Sequence, residues 1–123
     1  MVYRYVKNCR NATLNKLDLQ KNYFEMHKVT YINLEKPFND QKPGTSGLRK
    51  STLKFQEPHY LEIFVESVLR QINNLEGSTL IVGGDGRYGN KNEIKKIIQI
   101  CAAHNVGKII ITKNGILSTP AAS

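Results

Sequence analysis

The sequence predicts an α/β protein, with an incomplete mixed sheet in which an antiparallel hairpin precedes a right-handed βαβ unit. Three observations carry that prediction. Two short apolar runs, "STLIVGG" (78–84) and "KIIITKNG" (108–115), flank a segment with one-sided helical periodicity. A second amphipathic segment lies upstream, at 58–74. Before it, the strand-like "HKVTYINL" (27–34) is followed by a loop rich in Pro, Gly, Asn and Asp.

Taken in order, residues 1–25 are rich in Asn, Lys and Tyr and their apolar positions show no steady period. They are expected to be a weakly ordered extension, with the partial domain running over 26–123 and Met26 a candidate working start. Val29 and Tyr31 suit an extended strand. "EKPFNDQKPGTSG" (35–47) is a loop, and the loose alternation of "LRKSTLKFQ" (48–56) predicts a second strand antiparallel to the first. In "PHYLEIFVESVLRQINN" (58–74), Leu61, Phe64, Val65, Val68, Leu69 and Ile72 fall at offsets 0, 3, 4, 7, 8 and 11, which predicts one buried helix face. Pro58 is expected at the helix start, where a missing N–H costs least.

Turn residues Glu76 and Gly77 precede "STLIVGG", read as a short buried strand. "NKNEIKKIIQICAAHN" (90–105) is the next helix, with Ile94, Ile97, Ile98 and Cys101 inward. Asn90 is its expected cap, Glu93 the partner in a capping-box-like pair, and Gly107 its exit. "KIIITKNG" then forms a second buried strand, parallel to the first because a helix connects them. Ser118, Thr119 and Pro120 read as the start of a further helix with only three residues after Pro120. The last strand is therefore expected to lack a covering helix, leaving an exposed apolar face and an open edge prone to self-association or pairing.

Composition bounds the function classes. With 123 residues, 40% of them hydrophobic, the chain makes one modest globular domain. No apolar stretch is long enough for a membrane-spanning helix. The formal net charge of +8 favours an anionic partner. Its basic residues are dispersed without interleaved aromatics, which argues against nucleic acid. Cys9 and Cys101 form no spacing motif, so a reducing, cytoplasmic setting is expected. Cys101 reads as a buried small hydrophobe. Asn11-Ala12-Thr13 matches a glycosylation acceptor by accident of composition.

Two glycine-rich loops are the candidate sites. "IVGGDGRYGN" (81–90) contains G-x-G-x-x-G between a strand and a helix, a position where backbone N–H groups can meet an anion. A dinucleotide site also requires an acid about 20 residues on, and no acid follows Glu93. The loop is instead read as a structural turn: Gly83, Gly84 and Gly86 allow close backbone passage, Asp85 bonds local N–H groups, and Arg87 pairs with a carboxylate or carbonyl. In "QKPGTSGLRK" (41–50), Gly44 and Gly47 permit tight curvature, Thr45 and Ser46 offer hydroxyls, and Arg49 offers a planar fork suited to phosphate. Composition alone also allows a plain solvated turn here.

"KPGTSGLRK" and the stretch from "STLIVGGDGRYGN" to "STPAAS" closely resemble the first domain of the phosphoglucomutases, in the α-D-phosphohexomutase superfamily. The resemblance runs from about His27 to Ser123. It implies a four-domain enzyme that interconverts glucose 1-phosphate and glucose 6-phosphate through glucose 1,6-bisphosphate, using a phosphoserine and Mg²⁺. It implies that Thr45, Ser46 and Arg49 face the active-site cleft and contact the phosphosugar. It gives Asp85 to Tyr88 a mainly structural role, and Gly89 departs from the aromatic residue expected there. The family's phosphoserine loop, T-A-S-H-N-P, and its acidic metal loop are not found in this sequence. "AAHN" (102–105) echoes the former, but Ala103 stands where serine is required, and His104 reads as a solvent-facing helix end. The expectation is therefore a phosphoglucomutase-like fragment with no catalytic or metal residues of its own. It is expected to be inactive alone, to bind hexose phosphate weakly or not at all, and to need no cofactor. The alternatives are a module that pairs with a full-length mutase, or a nonfunctional truncated product.

Overall fold

The computed structural model describes residues 1–7, 29–45 and 47–122. Strand β1 (Val2–Val6) pairs antiparallel with β2 (Val29–Asn33), Val2 opposite Asn33 and Val6 opposite Val29. The pair is extended at its end, where the Met1 ammonium donates to the Leu34 carbonyl at 2.9 Å and the Leu34 N–H returns to Met1 O at 2.7 Å.

Here the structure corrects two expectations. Residues 2–6 are a strand rather than part of a weakly ordered extension. Local pattern does not announce it, because what fixes β1 is burial of Tyr3 and Val6 against the helices described below. The antiparallel pair exists, but its second member is not the predicted 48–56. That segment contains a short helix, α1 (Thr52–Phe55), whose Ser51 hydroxyl accepts the Lys54 N–H at 3.3 Å. The serine N-cap outweighs the loose alternation there. Cys9, the Asn11 triplet, Met26 and Ser46 lie outside the described residues.

Helix α2 (Tyr60–Gln71) follows the residue His59, which takes a left-handed conformation at φ 67°. It begins two residues after Pro58. Its buried face is Tyr60, Leu61, Ile63, Val65, Glu66 and Leu69, rotated from the predicted one: Phe64 is half-buried, and Val68 and Ile72 are exposed. The rotation has a cause. Helix α2 packs on β1 and on the later helix α3 (Asn90–Ala103) at once. Tyr60 is also clasped edge-on by Phe38 and Phe55, with ring centroids at 4.9 and 6.1 Å.

Strand β3 (Thr79–Gly84) and β4 (Lys108–Ile116) are parallel, with α3 as the connection. Leu80 pairs with Ile109 and Ile81 with Ile110. Leu80 and Ile109 pack on the core cluster of Leu61, Val65, Leu69, Leu75, Ile100 and Cys101. Side chains alternate along a strand, so Ile81 and Ile110 point the other way, and they are 54% and 40% exposed. Among the described residues, the strands expected to be buried thus pack on the core by one face and leave Ile81 and Ile110 partly exposed on the other.

Helix α3 differs in detail from its prediction. Gly89, at φ 91°, is the N-cap and makes no side-chain bond. Asn90 instead donates to the Gly115 carbonyl at 3.3 Å, so the expected capping box does not form. Ile100 takes the deeply buried place predicted for Ile98, which is half-buried. At the exit, Asn105 supplies the left-handed residue at φ 57°. Gly107 has another role: a Cβ there would lie 2.4 Å from the Gly77 carbonyl oxygen, so a side chain cannot fit between the two turns. A final single turn, α4 (Thr119–Ala122), carries Pro120 in its first turn.

Candidate functional site

The two glycine-rich loops, 40 residues apart in sequence, flank one cleft of about 420 Å³. Leu48, Arg49, Lys50, Thr52 and Phe55 line one side, and Asp85, Arg87, Tyr88 and Glu93 the other. The volume falls in the range of small-ligand clefts.

The first wall is built from the loop upward. Gly44 and Gly47 exchange backbone hydrogen bonds at 3.0 and 3.2 Å, closing a tight turn that Gly47 completes at φ 89°. Thr45 sits exposed on that turn, and Arg49 is exposed on the cleft side. The base of the loop is fastened to α2. Gln41 donates its side-chain N–H to the Tyr60 carbonyl at 2.6 Å, and the Tyr60 hydroxyl donates to Asp40 at 3.1 Å. Asp40 also faces Lys50 at 3.6 Å and Lys54 at 3.7 Å. Burial pushes the Asp40 carboxyl up, but the Tyr60 hydroxyl and the two ammonium groups outweigh it and hold the carboxyl below its ordinary value. Asp40, Gln41 and Tyr60 position this loop, and sequence reading missed all three. The only available signal was a lone acid, Asp40, just before a run of cations.

The second wall is a strand-to-helix turn closed on itself. Asp85 accepts the Arg87 N–H at 3.1 Å and pairs with its guanidinium at 2.7 Å. Gly86 stands at φ 79°, against Ile116. A Cβ on Gly84 would lie 1.9 Å from the Asn90 amide oxygen, and one on Gly83 would lie 2.3 Å from Leu117 Cβ. The space above the helix start is therefore filled by protein. Glu93 lies behind the turn, and burial, with Asp85 nearby, raises its carboxyl above the usual value against the opposing pull of Lys96.

The charges in the cleft are unequally committed. Asp85 neutralises Arg87, and Asp40 faces Lys50. Arg49 makes no ion pair among the described residues. Its guanidinium offers parallel N–H donors suited to a phosphate or carboxylate. The described residues contain no group of three or more His, Cys, Asp or Glu arranged to hold a metal.

A second polar cluster lies elsewhere, where β1 meets the ends of α2 and α3. Glu66 is 2% exposed. It accepts from Arg70 at 2.8 Å and from His104 Nε2 at 2.8 Å. Arg4 lies against both ring nitrogens of His104, its Nε 3.4 Å from Nε2 and its Nη2 3.1 Å from Nδ1, and its Nε is 4.0 Å from the Glu66 carboxylate. His104, read as solvent-facing, is in fact a buried link, its side chain 6% exposed. Periodicity could not show this, because the partners that cover it come from α2 and β1, distant in sequence. Burial pushes the Glu66 carboxyl up, but the hydrogen bonds and charges of His104 and Arg70 more than offset that and lower it.

Residues 40–123 match the family described as phosphoglucomutase/phosphomannomutase, alpha/beta/alpha domain I. The phosphoglucomutase of Aspergillus fumigatus is 60% identical over 88 residues, which is 71% of this chain and 16% of that protein. Phosphoglucomutase-1 of Dictyostelium discoideum is 51% identical over 103 residues, 80% of this chain and 18% of that protein. Phosphoglucomutase 2 of Saccharomyces cerevisiae is 53% identical over 90 residues, again 16% of its length. The chain thus spans about one sixth of the curated relatives it matches.

Proposed function

The chain belongs to the phosphoglucomutase/phosphomannomutase domain I family, and on that premise we propose that it forms one wall of a hexose-phosphate cleft. Arg49 meets a phosphate of glucose 1,6-bisphosphate, and Thr45 and Ser46 supply hydroxyl and backbone donors beside it. The observation that supports this reading most directly is the uncommitted Arg49 guanidinium on a loop whose base is fixed by Asp40 and Tyr60. Transfer of a phosphoryl group needs fixed positive charge where negative charge spreads, and little covalent help. Arg49 supplies the first. The turn at Gly83, Gly84, Asp85, Gly86 and Arg87 holds the opposite wall in shape.

The parent reaction under this reading is the interconversion of glucose 1-phosphate and glucose 6-phosphate. The Mg²⁺ of the parent reaction would need ligands beyond those described, which include no group of three or more His, Cys, Asp or Glu placed to hold a metal. This chain alone is inactive as a mutase under this reading, since its sequence holds no T-A-S-H-N-P run to carry the phosphoserine that the resemblance implies. The cytoplasmic setting belongs to the same reading. No described helix is long and apolar enough to cross a membrane, and the Cys101 thiol is free and buried. Isothermal titration with glucose 1,6-bisphosphate tests the cleft: Arg49→Ala should weaken binding about tenfold or more. Equal affinities would refute the assignment. A coupled glucose 1-phosphate assay tests the inactivity, and turnover above a Ser46→Ala/Arg49→Ala control would overturn it.

A second reading, a module that pairs with a mutase polypeptide, draws on a different observation: the apolar face of the β3–β4 sheet carrying Ile81 and Ile110.

A further inference from the structure

Away from the cleft, a cavity of about 400 Å³ opens where β1 meets the ends of α2 and α3. Its walls come from β1, from the last turns of both helices and from the residues that follow them. The volume lies within the range of small-ligand sites. Leu69, Leu75 and Ala103, each less than a tenth exposed, give it an apolar floor. Arg4 and Arg70 bring two guanidiniums to it. Glu76, exposed and in no ion pair among the described residues, brings a carboxylate.

The arginines are only partly engaged. Arg70 donates through Nε to Glu66 and through Nη2 to the Val2 carbonyl, and Arg4 meets His104 through Nε and Nη2. Neither Nη1 has a polar partner among the described residues. Glu66 sets one negative charge against the two guanidiniums, which leaves donors for a second carboxylate. Positive charge also has a place. Two helices end at this cavity, and helix C-termini favour a cation. Glu76 adds a full negative charge. A bare anion would meet Glu76 and the helix ends, and a bare cation would meet the guanidiniums. A zwitterion with an apolar side chain satisfies both charges and the floor together.

We propose that this cavity binds a free α-amino acid with an apolar side chain. Its carboxylate meets the Nη1 groups of Arg4 and Arg70, its ammonium faces Glu76 and the helix ends, and its side chain rests on Leu69 and Leu75. Arg4 lies outside the residues that match the family model, so the site is this chain's own. It shares no residue with the hexose-phosphate cleft and goes beyond that reading. A bound ligand joins β1 to α2, so occupancy stabilises the docked strand.

Isothermal titration of the 123-residue chain tests this with L-leucine, glycine, N-acetyl-L-leucine and L-leucinamide. The last three lack the apolar side chain, the ammonium and the carboxylate respectively. Leucine should bind at least about tenfold more tightly than each, since each loses one matched contact. Glu76→Gln, at an exposed position, should bring leucine down to the level of N-acetyl-L-leucine, and Arg70→Gln to that of L-leucinamide. Far-ultraviolet dichroism checks that both variants fold. Arg70→Gln also removes a Glu66 contact; if it unfolds, Glu76→Gln and the three analogues decide. Arg49→Ala should leave leucine binding unchanged, so failure here is distinct from failure of the cleft assignment. Absence of saturable heat with millimolar leucine would overturn the proposal. So would glycine or L-leucinamide binding as tightly as leucine, or a Glu76→Gln chain that binds leucine as the parent does. N-acetyl-L-leucine equal to leucine would overturn it as well, marking a plain anion site.

Discussion

Replacing Glu66 by glutamine should cost about 2 kcal/mol of folding stability at neutral pH. A hydrogen bond to a charged group contributes about 1.5–3 kcal/mol net. Glu66 accepts two such bonds at 2.8 Å, from Arg70 and His104. They are not equal. The Arg70 side chain is 56% exposed, and solvent screening leaves its pair a few tenths of a kcal/mol. The His104 pair is buried on both sides, so most of the loss falls there. Glutamine keeps one acceptor oxygen but turns an amide N–H₂ toward a donor. Glu66→Ala should cost about 3–5 kcal/mol, because it also leaves His104 and the two arginines without their carboxylate.

The chain has no tryptophan, so urea unfolding is best followed by far-ultraviolet circular dichroism. The pH dependence supplies a further check. Because the folded-state carboxyl is lowered, its stabilisation is fully present above the unfolded-state carboxylate value of about 4.3 and is lost as pH falls through the folded value. The gap between parent and Glu66→Gln should therefore be constant near neutrality and shrink in acid. A Glu66→Gln midpoint equal to the parent's at pH 7, or a gap that widens in acid, would refute the reasoning.

Further tests address packing and chemistry. Ile63→Ala should lose about 2–5 kcal/mol in urea unfolding, whereas Val68→Ala, on the exposed side of α2, should change stability by about 0.5 kcal/mol or less. Equal losses would restore the face predicted from periodicity. Gly107→Ala should destabilise by about 1–3 kcal/mol, since its methyl meets the Gly77 carbonyl; an unchanged midpoint would show that the two turns can part freely. Burial pushes the Cys101 thiol up to about 11, so native chain should react with a thiol reagent at this position far more slowly than chain in urea. Comparable rates, read by mass spectrometry of the Cys101 peptide, would contradict its burial.

The parallel βαβ unit was legible because its signals are local: two apolar runs, a helical period between them, and turn residues at each junction. The glycine-rich run 41–50 was legible for the same reason, as a short contiguous stretch of turn residues and cations that includes Arg49. What pattern could not show depends on contacts distant in sequence. Strand β1 exists because Tyr3 and Val6 find α2 and α3, and its Arg4 helps Glu66 of α2 to cover His104. The inward face of α2 turned because Tyr60 meets Phe38 and Phe55 as well as the helix behind it. The supports of the candidate loop are of the same kind. Asp40 matters through Tyr60, 20 residues away, and no spacing rule relates an acid to a tyrosine across a helix start.

The antiparallel pairing of Val6 with Val29 closes a loop through the intervening chain. Every contact of the pair is therefore distant in sequence, and none of them forms before the two strands meet. The strand pair and the residues it buries therefore set the free energy of this end of the molecule. Losing the burial of Tyr3 and Val6 would release this end of the molecule as a unit, both strands together.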